Sequence, residues 1–136
     1  MATEEPGVET LPRADCDRLL ASGSIGRVVL TDHALPVALP VNYAVDGADI
    51  VFRTGEGSKL AAARAGMVVA FEVDDFAPDH RCGWSVLVTG IARPLTDISE
   101  IVRADQLGIE SWAPASASTY VRISTGLVSG RRIRAA

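Results

Sequence analysis

The sequence predicts a mainly β fold: an antiparallel sheet of six or so short strands, closed into a barrel and flanked by short helices. Three observations carry this reading. Apolar residues alternate with small or polar ones over six repeats from Leu35 to Val45, the period of a strand with one face in a core. Tight-turn signals such as Asp46-Gly47 join successive strands, which favours antiparallel pairing. A sheet of that many short strands usually removes its edges by closing on itself.

Residues 1 to 9 hold three glutamates and neither lysine nor arginine, and they lack periodicity. A flexible acidic tail is therefore expected ahead of one domain over residues 10 to 136. A first helix is expected from Pro12 to Ser22: Pro12 suits an opening turn, Leu19 and Leu20 supply an apolar face, and Gly23 suits the stop. Ile25 to Leu30 reads as a strand. On the long strand that follows, Leu35, Val37, Leu39, Val41, Tyr43 and Val45 share one face. Pro36 and Pro40 on the other face imply an unpaired edge or a bulge along part of its length. Ala48 to Arg53 returns as the hairpin partner.

A short helix near Ser58 to Ala65, a break at Gly66 and a strand from Met67 to Val73 come next, then a loop over 74–83. Trp84 to Ile91 is a further strand. Asp97 and Glu100 stand at capping-box spacing before a helix running to about Leu107. A loop over Ser111 to Ser118 precedes a strand-like stretch from Tyr120 to Ile133, with an irregularity expected near Gly126 or Gly130.

The 136 residues suffice for one domain with a real core, and 48% are apolar against 22% charged, the profile of a soluble globular protein. A net charge of −4 gives no global basic footprint, so neither nucleic acid nor an anionic membrane is expected as a partner. No apolar stretch approaches bilayer-spanning length and the first residues lack a basic-then-apolar signal, so a cytoplasmic location is expected. Cys16 and Cys82 are too few for a disulfide framework and read as reduced, structural thiols. His33 and His80 have no metal-ligand spacing, so no metal site is expected.

The most informative stretch is Phe52-Arg53-Thr54-Gly55-Glu56-Gly57-Ser58-Lys59-Leu60. It joins a strand to a helix and offers a guanidinium, an ammonium, two hydroxyls and the first backbone N–H groups of that helix. Free amides at the positive end of a helix attract anions, and Arg and Lys both suit phosphate oxygens. Lys59 in a first turn opposes the helix dipole unless an anion sits there. An exposed strand-end charge, an ordinary helix cap and a solvated lysine are the alternative reading. The segment has neither Walker-loop spacing nor the third glycine of a dinucleotide fingerprint.

Five segments occur in order: Gly26-Arg27-Val28-Val29-Leu30; Leu39-Pro40-Val41-Asn42-Tyr43; Phe52-Arg53-Thr54 through Gly57-Ser58-Lys59-Leu60; Val69-Ala70-Phe71-Glu72-Val73-Asp74; and Gly83-Trp84-Ser85-Val86-Leu87-Val88-Thr89-Gly90. This ordered set resembles the pyridoxamine 5′-phosphate oxidase-like flavin-binding split barrels over roughly residues 10 to 134. The resemblance implies a six-stranded antiparallel split β-barrel that forms a homodimer, with one flavin mononucleotide (FMN) in each of two clefts at the interface. It puts the phosphate-binding segment on Arg53, Thr54, Ser58 and Lys59. It runs the strand of Val41 and Asn42 beside the isoalloxazine ring, with Phe52 flanking it. It draws Trp84 and its neighbours from the partner subunit or the cleft's far wall.

Several of these residues have a second reading. Thr54 can cap backbone groups, and Asn42 can bond the flavin's pyrimidine edge or satisfy a sheet-edge amide. Trp84 suits a core or interface anchor better than a stacking role. Glu72 suits a salt bridge to an arginine, while His80 and Arg81 are the loop residues that could meet substrate.

The namesake enzyme's C-terminal Arg/His pattern for pyridoxal phosphate is absent, since Arg131 and Arg132 lie in a different Gly-Arg-Arg-Ile context. The expected function is therefore an FMN-dependent oxidoreductase acting on some other small molecule. No side chain stands out as a general acid or base, which leaves catalytic residues unassigned and the chemistry to the cofactor. The alternative is a non-catalytic carrier of flavin, the deazaflavin F420 or haem. The acidic tail of F420 needs a second basic stripe, for which Arg64, Arg81 and the C-terminal arginines are the candidates. A structural dimer that has lost its ligand is disfavoured by the retention of Arg53, Ser58 and Lys59.

Overall fold

A computed structural model describes residues 7–110 and 119–134 of the chain. The elements run β1 (Val8–Thr10), α1 (Arg13–Ser22), β2 (Ile25–Asp32), β3 (Leu35–Asp46), β4 (Asp49–Thr54), α2 (Ser58–Arg64), β5 (Val68–Ala77), β6 (Cys82–Pro94), α3 (Ile98–Asp105) and β7 (Thr119–Ile133). All pairings are antiparallel, in the order β1-β7-β4-β3-β2-β5-β6, and β6 also pairs with β7. That last pairing closes six strands into a ring, the expected antiparallel split barrel.

Alternation decides what fills the ring. Val28, Tyr43, Phe52, Phe71, Val88 and Ile123 point inward and are almost fully buried. Cys16 and Leu20 of α1 and Leu60, Ala62 and Ala63 of α2 join the same core. The Tyr43 ring meets Phe71 edge-on at 4.8 Å, and its hydroxyl donates to the Leu20 carbonyl at 2.5 Å, tying α1 to the barrel. Gly26 is required by packing, because a Cβ there would lie 2.2 Å from Cζ of Phe71. On the outer face, α3 covers Val51, Leu95 and Tyr120 in a second, smaller cluster.

The prolines of β3 lie where expected. Pro36 and Pro40 pair with Thr31 and Arg27 of β2, whereas pairing with β4 covers only Tyr43–Asp46, so the first part of the strand has one paired neighbour. The irregularity of β7 falls at Gly126: Thr89 faces Leu127 and Gly90 faces Thr125, leaving Gly126 as the extra residue of a bulge.

Other boundaries differ from expectation. Val8–Thr10, at the end of the expected tail, pairs with Arg131–Ile133. The expected loop over 74–83 is mostly strand, with Asp74–Ala77 pairing with Cys82–Ser85 around a single 3-10 turn at Pro78–His80. Asp97 caps α3 by accepting from the Ser99 N–H, but Glu100 does not close the capping box. It bonds Arg93 instead, at 2.8 and 3.4 Å. The loop expected over Ser111 to Ser118 lies outside the described residues. Among the described residues no helix is long and apolar enough to cross a membrane, and Cys16 and Cys82 are free thiols.

Candidate functional site at the end of β4

Strand β4 is covered on both faces, by the barrel interior and by α3, so Ile50, Val51 and Phe52 are all buried. Burial is broken at the next residue. Arg53 lies on the outer face, its guanidinium carbon 5.2 Å from the centroid of the Tyr120 ring on β7. Arg53 and Tyr120 are register partners, which is why they meet. The Arg53 Nε is shielded from solvent and has no hydrogen-bond partner, and no carboxylate among the described residues pairs with the guanidinium. A buried donor without an acceptor costs about 1–3 kcal/mol, so its persistence calls for an explanation.

The chain then turns through Gly57 into α2. Gly57 has φ 147°, a conformation open to glycine, and nothing would meet a Cβ there within 4 Å. No side chain caps α2, so its first amides remain available. Ser58 and Lys59 are half-buried in this opening turn, and Lys59 forms no ion pair among the described residues. Arg64, by contrast, is engaged: it grips Glu56 through two bonds of 3.0 and 3.1 Å. That pairing holds the Glu56 carboxyl below its usual range. It also removes Arg64 from the free positive charge.

Thr54 is buried and donates its hydroxyl to the Gly55 carbonyl at 3.1 Å, the backbone-capping arrangement. The side chains of Val41 and Phe52 point into the core, leaving only their backbones toward the outer face. Because Tyr43 and Phe52 are cross-strand partners with both rings inside, Asn42 and Arg53 fall side by side on the outer face. Asn42 borders a cavity of about 310 Å³ with Ser24, Tyr43, Leu107, Gly108, Ile109 and Glu110.

Trp84 is not part of this cluster within one chain. It stands opposite Asp75 and Arg132 and packs against the core's edge. The far end of β6, Ala92–Pro94, is the part lying opposite the β7 residues that flank β4. His80 and Arg81 are exposed in the β5–β6 turn. Glu72 makes the expected salt bridge, to Arg27 at 2.9 Å, and Arg27 also reaches Asp74 at 3.1 Å. Tyr120 and Asp105, whose bond of 2.6 Å anchors the ring beneath Arg53, have no signature in the sequence; only the β4–β7 register reveals them.

Among the described residues, no three His, Cys, Asp or Glu side chains are grouped to hold a metal. What remains is a donor-rich, cation-bearing corner on one end of an otherwise apolar strand, suited to an anion.

Comparison with known proteins gives the family. Residues 12–132 match the family model described as pyridoxamine 5′-phosphate oxidase. An uncharacterized protein of Mycobacterium tuberculosis is 41% identical over 131 residues, spanning 93% of this chain and 86% of its own. The solved FAD binding protein of Mycobacterium smegmatis is 33% identical, with a TM-score of 0.77 over 93% of this chain and 98% of that one. An FAD-binding protein of Mesorhizobium loti is 27% identical, with a TM-score of 0.78 over 92% of this chain and 97% of that one. By fold and by sequence, the chain belongs to the pyridoxamine 5′-phosphate oxidase-like family of split β-barrels.

Proposed function

We propose that the β4–α2 corner grips the phosphate of a flavin, and that the protein is a flavin-dependent oxidoreductase of small molecules working as a homodimer. The observation that carries this reading is the Arg53 guanidinium, paired with no carboxylate among the described residues and lying a few residues ahead of an uncapped helix start that bears Ser58 and Lys59. Arg53 supplies a planar fork, Lys59 a mobile point charge, and the α2 amides short directional donors. Asn42, the neighbour of Tyr43 on β3, would bond a ring edge, with the backbone of Val41 beside it. FMN satisfies these donors with its terminal phosphate. FAD, which two similar structures are described as binding, offers the same group as half of a diphosphate. When bound, the flavin accepts and returns a hydride; the protein places it, orients substrate over it and excludes water.

Three measurements test this. The protein as purified, or after incubation with FMN, should show a flavin absorption spectrum, and mass analysis of the released cofactor separates FMN, FAD, F420 and haem. Lys59→Ala should weaken FMN binding by roughly 1.5–3 kcal/mol, the scale of a charge-assisted bond; unchanged affinity removes Lys59 from the site. Rapid mixing with NAD(P)H and an electron acceptor separates enzyme from carrier, since a loaded protein that is never reduced is a carrier.

A further inference from the structure

The side chain holding Arg53 in place is itself held from the far side. The Tyr120 ring, 6% exposed, lies 5.2 Å beneath the Arg53 guanidinium. Its hydroxyl donates to Oδ1 of Asp105 at 2.6 Å, and Asp105 is the last residue of α3. The hydroxyl is thus fixed at one edge of the ring while the π face is left to the cation. A free arginine side chain loses much rotamer freedom when it clamps an anion. Stacking on a ring that cannot turn removes part of that loss in advance and fixes the plane in which the N–H fork opens. The orientation is specific, because the same stack leaves Nε shielded and unbonded rather than turned to solvent.

Resting on the reading of the corner as a phosphate site, we propose that Tyr120, locked by Asp105, is a positioning residue that preorganises Arg53 for the flavin phosphate. Its effect is specific to ligands carrying that phosphate. The α3 helix thereby acts on the binding step although it contributes no ligand contact.

The experiment compares FMN with riboflavin, which has the same ring and ribityl chain and no phosphate, by fluorescence titration of the flavin-free protein. Tyr120→Leu is expected to raise the FMN Kd about 5–20-fold, the range of a partly desolvated cation–π contact, and the riboflavin Kd less than about twofold. Tyr120→Phe keeps the ring but loses the bond to Asp105, so its FMN Kd should rise by about 2–4-fold, as in Asp105→Ala. Asp105→Ala, an exposed change that spares the core, should raise the FMN Kd about 2–4-fold and covers the case in which Tyr120→Leu fails to fold. Equal losses for FMN and riboflavin would mark Tyr120 as merely structural and overturn the proposal. So would unchanged FMN binding in both Tyr120→Leu and Asp105→Ala while Arg53→Ala weakens it. If Arg53→Ala leaves FMN binding unchanged, the phosphate corner itself is wrong, and that result is distinct from the other two.

Discussion

Arg53 carries a charge that no carboxylate among the described residues neutralises, while its neighbour Arg64 is spent on Glu56. This division matters more than the number of cations near the corner. Arg53→Lys keeps the charge but loses the planar fork and most of the stacking on Tyr120, so flavin affinity should fall by about 1–2 kcal/mol in a binding titration. Strain sits elsewhere, in the β2–β3 turn, where His33 and Ala34 both have positive φ at 49° and 64°. Ala34→Gly removes a steric penalty of roughly 1 kcal/mol while making the unfolded chain freer, so a net gain of about 0.5 kcal/mol is expected in urea unfolding. Arg53, Ser58 and Lys59 can be grouped as a candidate anion site from the sequence because they are close along the chain. Tyr120 and Asp105 cannot, since they arrive through pairing between residues far apart in the chain. The inward aim of Val41 and Phe52 follows from the alternation that builds β3 and β4: strands that turn Asn42 and Arg53 outward must bury their neighbours.

Among the elements, the β3–β4 hairpin is secured by charge rather than by turn chemistry alone. Arg122 of β7 bonds Asp46 at 2.6 Å and Asp49 at 3.3 Å, and Arg103 of α3 reaches Asp46 at 2.7 Å. These bonds, chiefly that from Arg122, hold the Asp46 carboxyl below its usual range. Its contribution to stability is present above the ordinary aspartate range and is lost as pH falls through the native pKa. Glu72 has the opposite sign: burial first, then the neighbouring Asp74, raise its pKa, so the cost of ionising it disappears on acidification. Asp46→Asn should therefore flatten the acid side of a stability-versus-pH curve, and Glu72→Gln should steepen it. Arg122→Ala removes the main partner of the half-buried Asp46, which keeps Arg103, and should cost about 1–3 kcal/mol. Gly26→Ala should cost about 1–3 kcal/mol, because the Phe71 ring it would strike is fully buried. Strand existence and order could be read from the period of two, but the β5–β6 hairpin could not. Asp74, Asp75, Pro78 and His80 have turn composition, yet cross-strand pairing carries Asp74–Ala77 and Cys82–Ser85 past it. In the same way, Val8–Thr10 has no pattern of its own and becomes a strand only because the end of β7 offers an open side.

At the scale of the whole molecule, the barrel's outer face raises the question of what covers it. Register aligns Ala38, Val29, Ala70, Thr89 and Leu127 in one outward row across five strands. Beside that row Val68, Ile91 and Leu87 are 64%, 52% and 42% exposed, and Leu127 itself is 73% exposed. An apolar face of this kind, next to the half of β3 with one paired neighbour, is a poor surface for an isolated monomer. A second copy meeting it about a two-fold axis would cover both faces at once, since such an interface is self-complementary. The proposed homodimer would also bring Trp84, remote from the corner within its own chain, to its partner's cleft. Leu127→Glu places a charge within the proposed contact without touching the core or the corner. We expect this variant to run as a monomer in light scattering where the parent runs as a dimer. Its FMN affinity should fall at least about tenfold, because half of each cleft is removed. If that monomer binds flavin as tightly as the parent, the cofactor is held within a single barrel and the two-subunit cleft must be abandoned, while the role of Arg53 stands.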